Sequence, residues 1–347
     1  MPKSLMKAFV ASLYKAAIQL RHALYDRGLL KIHKFDIPII CIGNVTVGGT
    51  GKTPMTELIL SHFLSSHNVA ILSRGYGRRT KGYLEVCDTS HYRDVGDEPL
   101  QIKLKFPEAV VVVCEKRVDG IKRIQQEHPE VNLIIMDDGF QHRSVEAKVN
   151  IITIDATRPV KDDKMLPAGS LRDVPEALGR AHYFIVSKCP YTMTPIDKRL
   201  MRKTLINFAY QKLFFTRYTN YRPEPLFPQD ATEEISNQHK VIAVSGLGNA
   251  LPFIESIDNN FNLVDQITYN DHHVYRMRDL KEMSALLDQH PDSVIITTEK
   301  DAVKLCVPNK IPLELRKRLY YIPIQINFID LPVTNFLKHL EEDVRAN

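Results

Sequence analysis

The sequence predicts an α/β protein: a doubly wound, mainly parallel sheet with a second, smaller α/β domain joined by a two-stranded hinge. Six short apolar runs, "IPIICIG", "NVAILS", "AVVVVC", "VNLIIMDD", "VNIITID" and "HYFIVSK", alternate with helical patterns up to about residue 213. Continuous Val/Ile runs read as strands buried on both faces, the condition of a parallel sheet covered by helices. After the proline-rich "YRPEPLFPQD" a strand ("KVIAVSG"), two helices ("NALPFIESI", "MRDLKEMSALLDQH") and a strand ("SVIITTE") repeat the pattern on a smaller scale. The strand-like segments "KLFFTRYT" and "RLYYIPIQINF" flank this unit, so the chain is expected to leave and return through a pair of strands. The expected organisation is an amphipathic helix over 1–30, a first domain over 31–213, a second over 214–325 with hinge strands at its ends, and a helix over 326–347 returning to the first.

A length of 347 residues exceeds one ordinary core and agrees with two domains. With 44% hydrophobic and 25% charged residues, disorder is not the default. A net charge of +5 favours an anionic partner: nucleotide, nucleic acid, acidic lipid or phosphorylated substrate. Charge alone does not choose among them, but the basic residues are not interleaved with aromatics as on a stacking surface, so nucleic acid is not expected. The five cysteines are odd in number and include no C-x-x-C pair, which reads as buried thiols in a reducing compartment.

The first thirty residues begin basic and turn apolar. Lys7, Lys15 and Arg21 interrupt the apolar stretch, leaving neither a spanning segment nor a compact signal-peptide core. At helical spacing Met6, Phe9, Leu13, Ala17, Leu20 and Leu24 share one side, while Lys3, Lys7, Lys15, Arg21 and His22 gather on another. Two readings fit: a helix lying in a membrane interface, or a surface helix packed on its own domain.

The stretch "NVTVGGTGKTP" (44–54) carries the chemistry. A P-loop reads G-x-x-x-x-G-K-[ST], and the register set by Gly51, Lys52 and Thr53 puts Thr46 where the first glycine belongs. The setting is nonetheless right: a strand precedes the loop, and Pro54, Met55, Leu58, Ile59 and Phe63 continue it as a helix. Gly48, Gly49 and Gly51 supply the backbone freedom that lets successive N–H groups face one anion at a helix N-terminus. Nucleotide contacts are therefore expected from Thr46, Val47, Gly48, Gly49, Thr50, Gly51, Lys52 and Thr53. Lys52 is expected at the β- and γ-phosphates and Thr53 at Mg²⁺. "LIIMDDGFQHR" adds Asp137 and Asp138 at the end of an apolar run, the place of a second metal-side group. No Asn-Lys-x-Asp motif is present to read guanine, so ATP is the expected nucleotide. Val47 stands where partition-type ATPase switches carry a lysine, which removes that reading.

In a doubly wound fold the loops at the carboxyl ends of strands surround the ligand. The polar clusters "SRGYGRR", "VGDEPLQ", "LPAGSLRD" and "YNDHHVYR" are candidates for such loops. Taken alone, Asp97 fits either a catalytic carboxylate or a helix start, and His272 either a polarising group or an ordinary surface histidine. "GLG" (246–248) follows a strand but has Leu251 in place of a third glycine, and reads as a tight turn. The charges of "TTEKDAVKL" read as a solvated helix start.

Together, and in this order, "GNVTVGGTGKTP", "SRGYGR", "GDEP", "MDDGFQHR", "LPAGSLRD", "DHH" and "TTEKDAVKL" resemble the tetraacyldisaccharide 4′-kinase family, the lipid A kinases of Gram-negative bacteria. The resemblance runs from the first helix to beyond residue 300. It implies transfer of the ATP γ-phosphate to the 4′-hydroxyl of a tetraacyldisaccharide 1-phosphate, with Mg²⁺. It also implies a place at the cytoplasmic face of the inner membrane, touching the bilayer through the first helix; a monomer is expected. In that pattern Asp97 is the general base with His272 as its partner, Lys52 neutralises the transferring group, and Thr53, Asp137, Asp138 and Asp173 hold the metal. The family usually has glutamate where this chain has Asp173. Gly75 and Tyr76, with Arg74 and Arg78, are implied to shape the nucleotide pocket or to contact anionic substrate. A soluble P-loop kinase of a small metabolite is the alternative, with the first helix merely packed on the fold.

Overall fold

The Val/Ile runs become the strands of a large sheet in the computed structural model, which describes residues 3–219, 222–231, 234–271, 273–306 and 311–346. The chain divides into two compact units, one comprising the residues up to Tyr218 together with those from Ile326 onward, the other Thr219–Gln325. In chain order the first unit opens with α1 (Lys3–Asp26), β1 (Ile39–Gly43), α2 (Lys52–Phe63), β2 (Val69–Ser73) and β3 (Leu84–Glu85). It continues with α3 (Tyr92–Val95), α4 (Asp97–Lys105), β4 (Val110–Val113), α5 (Arg117–Glu127), β5 (Leu133–Asp137) and β6 (Val149–Asp155). Two 3-10 turns, Val160–Asp162 and Pro175–Arg180, precede β7 (Tyr183–Ser187), α6 (Pro195–Leu205) and β8 (Lys212–Thr219). The second unit holds β9 (Glu224–Pro225), β10 (Lys240–Ser245), α7 (Leu251–Asn260), β11 (Asn262–Thr268) and α8 (Met277–Gln289). It closes with β12 (Ser293–Thr298), α9 (Glu299–Leu305), α10 (Leu313–Lys317) and β13 (Leu319–Ile322). β14 (Gln325–Phe328) and α11 (Val333–Arg345) end the chain.

The first sheet has the strand order β14-β8-β7-β6-β1-β5-β2-β4-β3 and is parallel from β8 to β4. The expected doubly wound, P-loop NTPase-like architecture is present. Successive residues of each strand face opposite sides, so each face is buried by its own helices. Ile39, Cys41, Ile134, Met136, Phe184 and Val186 share one core cluster with Ala11 of α1, Ile121 and Ile124 of α5, and Leu205 of α6. On the opposite face Phe336 of α11, fully buried, packs edge-on against Tyr183 and Phe214 with centroids 5.6 and 5.3 Å apart. α2 shares that face, tied to α11 by His62 and Glu341 at 2.7 Å. Burying a phenylalanine of this kind stabilises a fold by about 1.5–3 kcal/mol, so the ring holds the C-terminal helix in place.

"KLFFTRYT" is a full member of the first sheet, because Lys212–Phe215 pairs with Tyr183–Val186. "RLYYIPIQINF" is divided between the two sheets: β13 pairs with β12, and β14 lies beside β8. The break falls at Pro323, which has no N–H to continue a ladder. The second sheet, β11-β10-β12-β13-β9, is parallel apart from β9. The "TTEKDAVKL" segment is not solvated. Asp301 and Lys304 form a buried ion pair at 3.1 Å, and Asp301 also accepts the Gly246 N–H at 2.8 Å and the Thr298 hydroxyl. That contact takes one amide of the "GLG" turn away from any phosphate.

Candidate active site

β5 lies directly beside β1, with Asp137 in register with Ile42, one residue before the loop begins at Gly43. Adjacency of these two strands is what brings the acidic pair to the glycine loop, and close packing needs Gly43, where a Cβ would come within 2.6 Å of the Phe140 Cβ. Gly51 takes φ 86° and Gly48 φ 98°, left-handed values that favour glycine. Thr46 has no such requirement: it forms an antiparallel bridge with Leu171, an extended conformation that any residue adopts, so the missing first glycine is accommodated. The Val47 N–H donates to the Ser170 carbonyl at 2.8 Å. Thr50 is buried and bonded to Asn44 at 2.7 Å and Thr153 at 2.8 Å, and its carbonyl accepts from Ser187, so its side chain braces the loop from beneath. Gly49 is open, with space where a side chain would stand.

Lys52 begins α2, with Thr53 next to it in the first turn. The Lys52 Nζ stands 3.7 Å from Asp138 Oδ1. Asp138 takes φ 48°, a conformation of modest cost for aspartate that recurs at functional sites. Arg172 holds it with both guanidinium nitrogens, Nη1 to Oδ2 at 3.0 Å and Nη2 to Oδ1, and also donates to Asn44 Oδ1. Burial would raise this carboxyl, but the Arg172 fork and the charge of Lys52 outweigh it and hold Asp138 well below the usual carboxylate range. Asp137 has the opposite environment. It is 1% exposed, accepts from Thr56 at 3.1 Å and Ser73 at 3.4 Å, and faces like charges from Glu98 and Asp138. Burial and those charges push its carboxyl up to about 6.

Asp97 is the first residue of α4, buried behind Gly96, and its Oδ1 accepts the Glu98 N–H at 3.0 Å. Gly96 at φ 97° and Gly75 at φ 68° lie against one another, so "SRGYGR" and "GDEP" form one packed corner. Gln101 and Lys105 of α4 bind the buried Glu57 of α2 at 2.7 and 2.6 Å, tying the Asp97 helix to the Lys52 helix. Tyr76 projects from that corner, 69% exposed.

Asp173, implied by the resemblance to hold the metal, lies between α1 and the turn that starts at Pro175. It is 1% exposed, and its contacts among the described residues are with His22 of α1 at 2.7 Å, the Val174 N–H at 2.9 Å and Arg180 at 3.5 Å. With Tyr14 bonded to the Arg172 carbonyl and Arg21 to the Gln141 carbonyl, it fastens α1 to the segments that form the site. His272 lies outside the described residues.

Several titratable groups here had no role assigned from the sequence. Arg172 sat unremarked inside "LPAGSLRD". Arg117, fully buried, donates to the Cys114 carbonyl at 2.6 Å and the Asp137 carbonyl at 3.3 Å. Arg158 would meet a Cβ on Gly48 at 3.2 Å, which puts a cation beside the glycine loop. His142 of "GFQHR" is held neutral, because burial and the charges of Arg117 and Arg74 push it down to about 4. Arg117 follows β4 and was within reach of the rule that loops at the carboxyl ends of strands form the site.

The family model for tetraacyldisaccharide-1-P 4′-kinase, LpxK, matches residues 4–343. The chain belongs to this family. A tetraacyldisaccharide 4′-kinase of Bacteroides fragilis is 37% identical, covering 96% of this chain and 92% of the relative. One of Phocaeicola vulgatus is 35% identical over 97% of this chain and 94% of its own. A crystal structure of LpxK from Aquifex aeolicus in complex with ATP superposes with a TM-score of 0.74 at 26% identity, covering 96% of this chain and 97% of that one. Membership makes this chain a kinase of lipid A biosynthesis, using ATP to phosphorylate the 4′-hydroxyl of a tetraacyldisaccharide 1-phosphate.

Proposed function

We propose that the amides from Gly48 to Thr53 and the Lys52 ammonium seat the ATP triphosphate, and that Asp97 takes the proton of the 4′-hydroxyl. The observation that carries this reading is the array at the loop mouth: Lys52, Asp138 and the Arg172 fork in one contact chain, with Asp137 beside them. The Lys52–Asp138 separation of 3.7 Å is longer than a charge-assisted hydrogen bond, so little holds the ammonium back from a phosphate oxygen. Arg172 keeps the Asp138 carboxylate oriented meanwhile. Asp173 anchors α1, and Tyr76 offers an exposed ring to the nucleotide. β8 and β14, through which the chain passes between its two units, serve as the hinge.

Thr53, Asp137 and Asp138 fit Mg²⁺. The donors are all hard oxygens, and a buried carboxyl raised by its anionic neighbours is relieved by a cation. When bound, the ion would neutralise charge building on the β- and γ-phosphate oxygens. The fit has a consequence for stability. Asp137 titrates near 6 in the folded chain against about 3.9 when unfolded. The folded state therefore binds more protons in that interval, and stability falls as pH rises from about 4 through about 6. Asp137→Asn is expected to melt higher than the parent at pH 8 in Mg²⁺-free buffer and to converge with it near pH 4, while losing kinase activity. Differential scanning calorimetry across pH checks this, and a variant less stable than the parent at pH 8 contradicts it.

α1 is proposed to rest in the membrane interface at the cytoplasmic face of the inner membrane. No helix among the described residues is long and apolar enough to cross a bilayer. α1 packs inward through Ala11, Tyr14 and Ile18, while Phe9 and Leu13 are 61% and 58% exposed. A kinase whose acceptor stays in a bilayer gains from such a face. The test offers γ-labelled ATP and Mg²⁺ with either the lipid disaccharide or simple sugars, in detergent and on vesicles. Label is expected in the lipid alone, and Phe9→Asp with Leu13→Asp is expected to weaken vesicle flotation. Label in simple sugars, or full flotation of the double variant, overturns the corresponding part.

A further inference from the structure

A second amphipathic basic surface lies on α6, which the phosphoryl-transfer chemistry does not use. The helix is firmly started by a capping box: Thr194 accepts from the Asp197 N–H at 3.2 Å, and Asp197 accepts from the Thr194 N–H at 2.8 Å. It is seated by Leu205 and Met201, which pack into the sheet core. The outward side carries Ile196, Arg199, Leu200 and Lys203 at successive helical spacings, with Ile196 69% and Leu200 59% exposed. Just past the helix, Phe208 and Tyr210 stack on the surface with centroids 5.5 Å apart, and the Tyr210 hydroxyl bonds the Gly179 carbonyl. A groove of about 540 Å³ separates α6 from the two 3-10 turns, lined by Val160, Pro175, Leu178 and Leu205 and edged by Lys161 and Lys203.

Charge and placement choose the occupant. Lys161, Arg199, Arg202 and Lys203 are exposed, whereas Asp197 is engaged in the capping box and the two turns beside the groove carry one acid each, Asp162 and Glu176. Apolar side chains separated by cations, with an aromatic pair alongside, match the headgroup boundary of an anionic bilayer. α6 also stands on the same face of the sheet as α1, since Ala11 and Leu205 share one core cluster. The turn starting at Pro175 follows Asp173, which holds His22 of α1. We propose that α6 and its groove form a second membrane contact, with Ile196 and Leu200 entering an anionic leaflet and Lys161 and Lys203 meeting lipid phosphate. This extends the membrane reading of α1 but rests on separate residues.

The chain has no tryptophan, so Leu200→Trp installs a single reporter in the full-length protein. On vesicles of phosphatidylethanolamine and phosphatidylglycerol its emission is expected to shift to the blue and to be quenched by brominated acyl chains. Arg199→Glu with Lys203→Glu removes two cations, each worth about fivefold near an anionic surface, and adds two anions, so it is expected to weaken binding to those vesicles by at least about 25-fold, while activity on lipid substrate in detergent stays at the parent level. Emission unchanged on vesicle-bound protein overturns the proposal. So does vesicle affinity unaffected by the double reversal, or a blue shift that follows protein concentration without lipid and so marks a second copy of the chain. If Phe9→Asp with Leu13→Asp floats as fully as the parent while the indole is quenched, the α1 reading fails and this one stands.

Discussion

Lys52→Ala is expected to remove at least about 10²–10³-fold of kcat, the scale of a lost charge-stabilising donor, while the protein melts close to the parent temperature. The two halves of this expectation have different physical origins. Lys52 is the first residue of α2, and its contact with Asp138 is a loose 3.7 Å. Asp138 keeps its two-pronged hold from Arg172 when the ammonium is gone, so that carboxylate is not left unpaired. The loss is therefore confined to charge developing on the transferring group, and kcat is expected to fall more than the KM for ATP rises. Lys52→Arg is not a rescue, because a planar fork does not replace a compact ammonium beside an existing guanidinium. Steady-state kinetics with labelled ATP, paired with a thermal melt, measures both halves. Activity within about tenfold of the parent would exclude Lys52 from contact with the reacting phosphate, since that donor scale is the smallest consistent with it.

Asp97→Asn carries the second large expectation, a loss of about 10²–10⁴-fold in kcat, the usual contribution of a positioned general base. Asparagine keeps the acceptor that receives the Glu98 N–H, and Gly96 rather than Asp97 occupies the cap position of α4. The Gln101 and Lys105 contacts to Glu57 are also retained, so the corner stays tied to α2. The variant removes the capacity to take a proton while keeping these contacts. Its signature is a pH–rate profile that no longer rises on the acid side, with nucleotide affinity near the parent value. A profile with the parent's acid limb intact would assign that limb to another group.

The strands were legible because a strand buried on both faces has no polar alternation to confuse it, and Ile39–Gly43 and Leu133–Asp137 both read that way. The glycine loop was legible for a local reason: the positive φ of Gly48 and Gly51 is intrinsic to a few residues. Arg172 was not, since its partners Asp138 and Asn44 lie 34 and 128 residues away. Arg117 and Arg158 reach the site in the same non-local way. The charges of "TTEKDAVKL" misled for a related reason. A helix start rich in charge is solvated unless something covers it, and here Asp301 and Lys304 neutralise each other in the interior.

Residue order alone was enough for the alternation of strands and helices, the phosphate-gripping turn ahead of Lys52 and the family that this ordered set of motifs marks. Each depends on neighbours a few positions apart, where periodicity, glycine torsions and spacing act directly. Which groups surround the acidic pair was decided by folding, because β5 settles beside β1 and carries Asp137 to the loop. The same packing gives Asp137 and Asp138 opposite proton affinities and diverts Asp173 to His22 of α1. Burial and Coulomb interactions depend on distances through space, and those exist only once the strands have chosen their partners.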